Sequence, residues 1–180
     1  MKDFSLKCRS KIITSAYAEW IDPSSKVLDI GCGNGVIDEE LINFFHCSII
    51  GTDVMDYRKR ELPFVLMSEQ DKLPFNDKEF DICMFNDALH HCNNQEGLLN
   101  EAMRVADKIL LFEMEPTIIA KILDVAINQI HNPRMNIPLN IRTLQEWRDY
   151  FEKRNLDFEY RRIKTPFLYP FKNYAIRLKK

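Results

Sequence analysis

No apolar run in this sequence is long enough to cross a bilayer as a helix, which excludes a spanning segment of that kind. The opening residues, MKDFSLKCRSK, lack the apolar core of a secretory signal. The five cysteines (Cys8, Cys32, Cys47, Cys83, Cys92) show none of the close spacing of a zinc knuckle or redox motif. They read as reduced, mostly buried thiols of a cytoplasmic protein. Internal repeats, low-complexity tracts and Gly/Ser linkers are also missing. The 180 residues, 46% hydrophobic and 29% charged, therefore suit one globular domain with one substantial core.

The net charge of −2 is too small to announce a polyanionic partner, but it is unevenly spread. Residues 141–180 carry 11 Lys and Arg against 5 Asp and Glu. Those basic residues alternate with Phe, Tyr, Leu and Ile, as on the solvent side of strands.

Short apolar runs recur at 26–30, 48–53, 64–67, 80–86 and 108–114, separated by stretches of helical spacing at 37–45 and 96–105. A further helix is expected over about 5–20. Nearly continuous apolar strands alternating with helices predict a doubly wound α/β fold with a mostly parallel sheet. After Glu115 the pattern changes. A helix over 117–131 is expected to open on Pro116, and the prolines of NPRMNIPLN, 132–140, cannot continue it. Thr143 with Glu146 has the spacing of a capping box. Residues 157–164 and 173–179 predict an antiparallel strand pair at one edge.

The first strand runs into Asp29-Ile30-Gly31-Cys32-Gly33-Asn34-Gly35 and then a helix. Glycines at alternate positions let the backbone turn sharply and approach a ligand, at the strand ends where open α/β sheets bind ligands. The dinucleotide fingerprint G-x-G-x-x-G is absent, because its third glycine would fall on Val36. The Lys-Ser/Thr ending of a phosphate loop is absent too. Asp53 closes the second strand 22 residues after Gly31. An acidic residue at about that spacing accepts hydrogen bonds from ribose hydroxyls, so the pair reads as a nucleoside site.

Val27–Gly35, VLDIGCGNG, together with Asp53 and SEQDKLPFNDKEFDICMFNDALHH, 68–91, resembles the class I S-adenosylmethionine (SAM)-dependent methyltransferases, in particular their small stand-alone, type-11-like members. The resemblance covers 26–115 well. It implies a Rossmann-like seven-stranded sheet ordered 3-2-1-4-5-7-6, with the last strand antiparallel, SAM as cofactor and S-adenosylhomocysteine as product. It assigns cofactor contacts to Asp29, Gly31, Cys32, Gly33, Gly35, Asp53, Val54 and Asn86. Where the family commonly reads G-D-A-x-x-L-P-F, this chain has Glu69 and Gln70: Glu69 would reach the adenine amino group and the backbone of Gln70 the ring nitrogen.

The resemblance also divides the single domain 1–180 into an N-terminal helix or lid (1–25), a cofactor core (26–115), a substrate cap (116–140) and a C-terminal helix with strand pair (141–180). It places Asn86–His91 beneath the methyl donor. His90 or His91 could serve there as base or orienting group, since histidine titrates near neutrality. Tyr17, His131 and Arg134, with Met114 and Met135, are candidate acceptor contacts. No metal is expected, because the consecutive residues His90, His91 and Cys92 cannot easily converge on one ion. Asn86-Asp87-Ala88 lacks the prolines and aromatic of the N-P-P-Y loop of many base-amino methyltransferases.

The expected function is methyl transfer to an O, N or C atom of a small molecule, chiefly by alignment. A nucleic-acid or protein acceptor and a non-catalytic SAM-binding scaffold are the alternatives.

Overall fold

The computed structural model describes residues 2–131, 138–167 and 169–179, the side chains of 2–7, 130 and 131 aside. The elements run α1 (Lys2–Tyr17), β1 (Lys26–Ile30), α2 (Val36–Phe45), β2 (Ser48–Asp53), β3 (Phe64–Leu66), β4 (Phe80–Asn86), α3 (Gln95–Val105), β5 (Ala106–Met114), α4 (Ile118–His131), α5 (Leu144–Lys153), β6 (Asp157–Arg162) and β7 (Asn173–Lys179). One sheet forms in the order β3-β2-β1-β4-β5-β7-β6. Neighbours are parallel except for the β5–β7 and β6–β7 pairs. The expected order and the antiparallel edge pair are both present.

The central strands are largely apolar because helices cover both faces. Successive residues of a strand point to opposite sides. Leu28, Cys83, Phe85, Leu111 and Ile176 pack with α3 and α5 through Leu99, Ala102, Trp147 and Phe151. Val27, Ile82, Met84, Leu110 and Ala175 pack with α1 and α2 through Ile13, Tyr17, Leu41 and Phe45. The capping box closes: Thr143 Oγ1 accepts the Glu146 N–H at 3.1 Å, and a Glu146 carboxylate oxygen accepts the Thr143 N–H at 2.7 Å.

Two boundaries move. Helix α1 lies three residues earlier than expected, because the chain turns where Trp20 N–H reaches the Tyr17 carbonyl at 2.7 Å. Pro116 is outside α4 rather than in its first turn. Thr117 is the cap, its hydroxyl accepting the Ala120 N–H at 3.1 Å, a bond that a serine or threonine ahead of the helix supplies and proline cannot.

All six arginines of 141–180 are ion-paired: Arg142 and Arg154 with Glu96, Arg148 with Glu152, Arg161 with Glu19, Arg162 with Glu115 and Arg177 with Glu159. Among the described residues, no helix is long and apolar enough to cross a membrane.

Candidate functional site

Strand β1 delivers the chain to a cavity of about 580 Å³ over the carboxyl ends of β1, β2 and β4. Gly31 N–H still bonds the Thr52 carbonyl of β2 at 2.8 Å, so the turn starts from a rigid ladder. Gly31 then takes φ +80°, and a Cβ there would come within 2.5 Å of the Ala88 Cβ. Gly33, at φ +54°, is different: a Cβ would meet no protein atom within 4 Å. Its open side faces the cavity and leaves the backbone bare for a ligand. Asp53 joins the turn from β2, one carboxylate oxygen accepting Gly33 N–H at 3.2 Å and the other Val54 N–H at 2.8 Å. Burial raises the Asp53 pKa, and these backbone donors oppose it. An ionised carboxylate has lone pairs to spare for two ribose hydroxyls.

Beneath the turn lies a buried polar chain. Tyr17 O–H donates to Asn86 Oδ1 at 3.0 Å, and Asn86 Nδ2 donates to Asp29 at 3.3 Å. Burial and the neighbouring Asp38 push Asp29 well above the usual carboxylate range, and burial pushes Asp38 up to about 6. Because folding raises these values, the native state binds more protons than the unfolded chain, and stability falls as pH rises from about 4 to about 6. In urea titrations, the stability of Asp38→Asn relative to the wild type should rise by about 1–3 kcal/mol between pH 4 and pH 7.5. A constant difference would mean that Asp38 is charged at all these pH values.

At the far end of β4 the chain turns through Asp87, at φ +50°, into a single 3-10 turn, Leu89–His91. Asp87 pairs with Arg9 of α1. Burial pushes Asp87 up to about 6, and Arg9 opposes it. The turn leaves the two imidazoles side by side, their ring centroids 4.1 Å apart, but in different surroundings. His90 is buried, its Nδ1 2.5 Å from a Glu113 carboxylate oxygen on β5. Burial lowers its pKa, but the charges of Glu113 and Asp124 outweigh this and raise it to about 10. His91 lines the cavity, and burial followed by the charge on His90 lowers its pKa.

Of the expected site residues, Asp29, Gly31, Cys32, Gly33, Asp53, Val54, Gln70, Asn86, His91 and Met114 line this cavity. Gly35, at φ +74°, caps α2 just outside it. Glu69 is not placed as expected. It bridges to Lys72 in a tight turn, and its side chain is 62% exposed, 4.0 Å from the Lys72 ammonium. Gln70 occupies that wall instead, donating to the His91 carbonyl at 3.0 Å. Tyr17 is buried behind Asn86, and His90 behind His91, so neither lines the cavity. Arg134, Met135 and the side chain of His131 lie outside the described residues.

Four lining or supporting residues escape a linear reading: Arg9, Glu113, Asp124 and Asn128. Glu113 had a signal, as the one acid among the buried residues of KILLFEM. So did Asp124 and Asn128, a polar pair at i, i+4 in the largely apolar α4. Arg9 had none.

Residues 28–108 match a family model described as a methyltransferase domain. A sterol 24-C-methyltransferase of Schizosaccharomyces pombe is 32% identical over 102 residues, covering 50% of this chain and 27% of that protein. One from Gibberella zeae is 31% identical over 98 residues, covering 47% and 26%. The chain thus spans about a quarter of the length of these curated relatives. Among solved structures, a chain from the complex of the Haloferax volcanii Trm112 methyltransferase activator aligns with a TM-score of 0.71 at 16% identity, covering 99% of this chain and 93% of that one. A SAM-dependent methyltransferase from Archaeoglobus fulgidus aligns at 0.65 with 18% identity over 98% of both chains. The domain match begins inside β1, and the strand order holds through the antiparallel β7: residues 28–108 are similar to a methyltransferase domain, and the chain as a whole shares the fold of these solved structures.

Proposed function

We propose that the protein transfers a methyl group from SAM to a small-molecule acceptor. One observation carries the reading. A single cavity holds the glycine turn and Asp53 at one end and His91, Asp124, Asn128 and the Arg9–Asp87 pair at the other. Donor and acceptor therefore have one shared space of a size usual for ligand sites.

The residues present fit SAM. The bare backbone at Gly33 admits the nucleoside, Asp53 accepts its ribose hydroxyls, and Val54 and Gln70 flank the base. Bound SAM supplies a methyl group already activated on a sulfonium. What remains for the protein is alignment, which contributes much of the acceleration in such displacements. Asn86, locked between Tyr17 and Asp29, is a rigid floor for that alignment. His91 and Asp124 form the acceptor-side wall. Buried His90 acts through its neighbours, as a positioning residue. Helices α1 and α4 each contribute to the wall, through Arg9 and through Asp124 and Asn128. This supports the reading of 1–25 and 116–140 as the covering segments.

The names of the sterol methyltransferase relatives support a small-molecule acceptor over a macromolecular one. The paired arginines of 141–180 point the same way, since their charge is already compensated within the chain.

Titration calorimetry with SAM and S-adenosylhomocysteine tests the reading, and an absence of heat with both overturns it. Asp53→Ala should weaken binding by about 1–3 kcal/mol, the cost of leaving buried polar partners unpaired. Unchanged affinity would remove Asp53 from the site.

A further inference from the structure

We propose that His90, His91 and Asp124 bind a divalent transition-metal cation of the zinc class at the acceptor end of the cavity. The sequence offers only consecutive residues here. The fold replaces Cys92, whose sulfur lies 4.0 Å from the Gln70 carbonyl, with Asp124 from α4.

Both imidazoles are held with the same nitrogen toward one point. His90 Nδ1 is engaged by Glu113 at 2.5 Å, and His91 Nδ1 by the Pro138 carbonyl at 3.3 Å. In those bonds each Nδ1–H donates to the carboxylate or the carbonyl, and Nε2 of each ring is turned toward Asp124. A carboxylate or carbonyl behind a histidine is the usual support of a metal-bound imidazole.

The two Nε2 atoms each lie 3.6 Å from an oxygen of Asp124. That distance is too long for a hydrogen bond. It is close to the roughly 3.3–3.5 Å between donors that share a tetrahedral ion at bond lengths of about 2.0–2.2 Å. One ligand atom from each of the three residues can be chosen so that all lie within 4.8 Å of one another. His90 Nε2 and Asp124 Oδ2 are buried without a hydrogen-bond partner among the described residues. The Asn128 amide nitrogen, 3.3 Å from His91 Nε2 and 3.2 Å from Asp124 Oδ1, contacts the same acceptors from the side.

Charge agrees. With both imidazoles neutral, Asp87, Glu113 and Asp124 outweigh Arg9 by two negative charges in this enclosed volume, the complement of a divalent cation. Two imidazoles and one carboxylate suit zinc and its neighbours better than magnesium or calcium. His91 and Asp124 line the cavity, so the remaining coordination positions open onto it. Metal binding itself does not depend on the methyl donor and is measured without it.

The test uses the full chain, stripped with a chelator and titrated with Zn²⁺ by calorimetry and with Co²⁺ by visible absorption. One ion per chain is expected, with tetrahedral-type Co²⁺ bands and proton release as His90 gives up its Nε2 proton. Asp124→Asn and His91→Ala should each weaken binding at least tenfold, and Glu113→Gln by about 10- to 100-fold through the support it removes. Thermal melts establish that each variant is folded. Cys8→Ser should leave binding unchanged. The proposal is overturned if the wild type takes up no stoichiometric ion, if a thiolate-to-cobalt band dominates, or if binding survives Asp124→Asn and His91→Ala undiminished. Loss of metal binding with intact SAM binding would leave a histidine–carboxylate ion network and the methyltransferase reading standing.

Discussion

Gly31→Ala should lower folding stability by about 3 kcal/mol and reduce affinity for S-adenosylhomocysteine by more than tenfold. Two separate costs act at this position. The left-handed backbone at φ +80° costs an L-residue about 1–2 kcal/mol. The new methyl would also press on the Ala88 Cβ at 2.5 Å, an overpacking of about 1–3 kcal/mol. The strain cannot relax toward β2, because Gly31 N–H is tied to Thr52. It relaxes instead along the turn, moving Gly33 away from Asp53, and this is why binding suffers as well as stability. The two costs can be separated. Ala88→Gly in the same chain removes the contact but not the backbone strain, so the double variant should regain roughly half of the lost stability. Urea denaturation and calorimetry read both quantities. A Gly31→Ala protein that matches the wild type in each would show that the turn is not held as described.

Glu113→Ala should be at least as damaging, about 3–5 kcal/mol in urea denaturation at pH 7 with a chelator present. The Glu113 carboxylate is 3% exposed; one oxygen accepts the Leu89 N–H at 3.0 Å and the other engages His90. Truncation leaves a buried backbone donor and a buried histidine without their acceptor, the situation in which breaking a buried pair costs most. Glu113→Gln keeps a carbonyl oxygen and should lose only about 1–3 kcal/mol. If the alanine variant stays within about 1 kcal/mol of the wild type, the Glu113–His90 contact does not anchor the turn after β4.

Much of this could be read along the chain, for local reasons. Apolar runs such as KVLDI and FDICMFN mark strands covered on both faces, and Gly31 and Gly33 mark a turn whose dihedrals other residues resist. Asp53 follows at the spacing that a β1–α2–β2 unit requires. The capping box at Thr143 is a four-residue pattern and was equally legible. The failures are also instructive. Glu69 occupies the family's acidic position, yet a tight turn to Lys72 sends its side chain into solvent. Pro116 has helix-start character, but the adjacent Thr117 caps the helix and leaves the proline outside it.

The sequence by itself therefore determined the sheet, its order by resemblance, the glycine turn and the ribose-side acid, because each depends on neighbours in the chain or on the period of a strand. The tertiary structure alone decided the acceptor end. His90 and His91 are adjacent in sequence, and side chains on adjacent residues diverge. Only the left-handed turn at Asp87, the acid buried in β5 and the inward face of α4 bring their Nε2 atoms and Asp124 to one place. Those contacts join residues 23 to 37 positions apart on three different elements. No local pattern encodes them, since each arises from how α4 packs over the sheet.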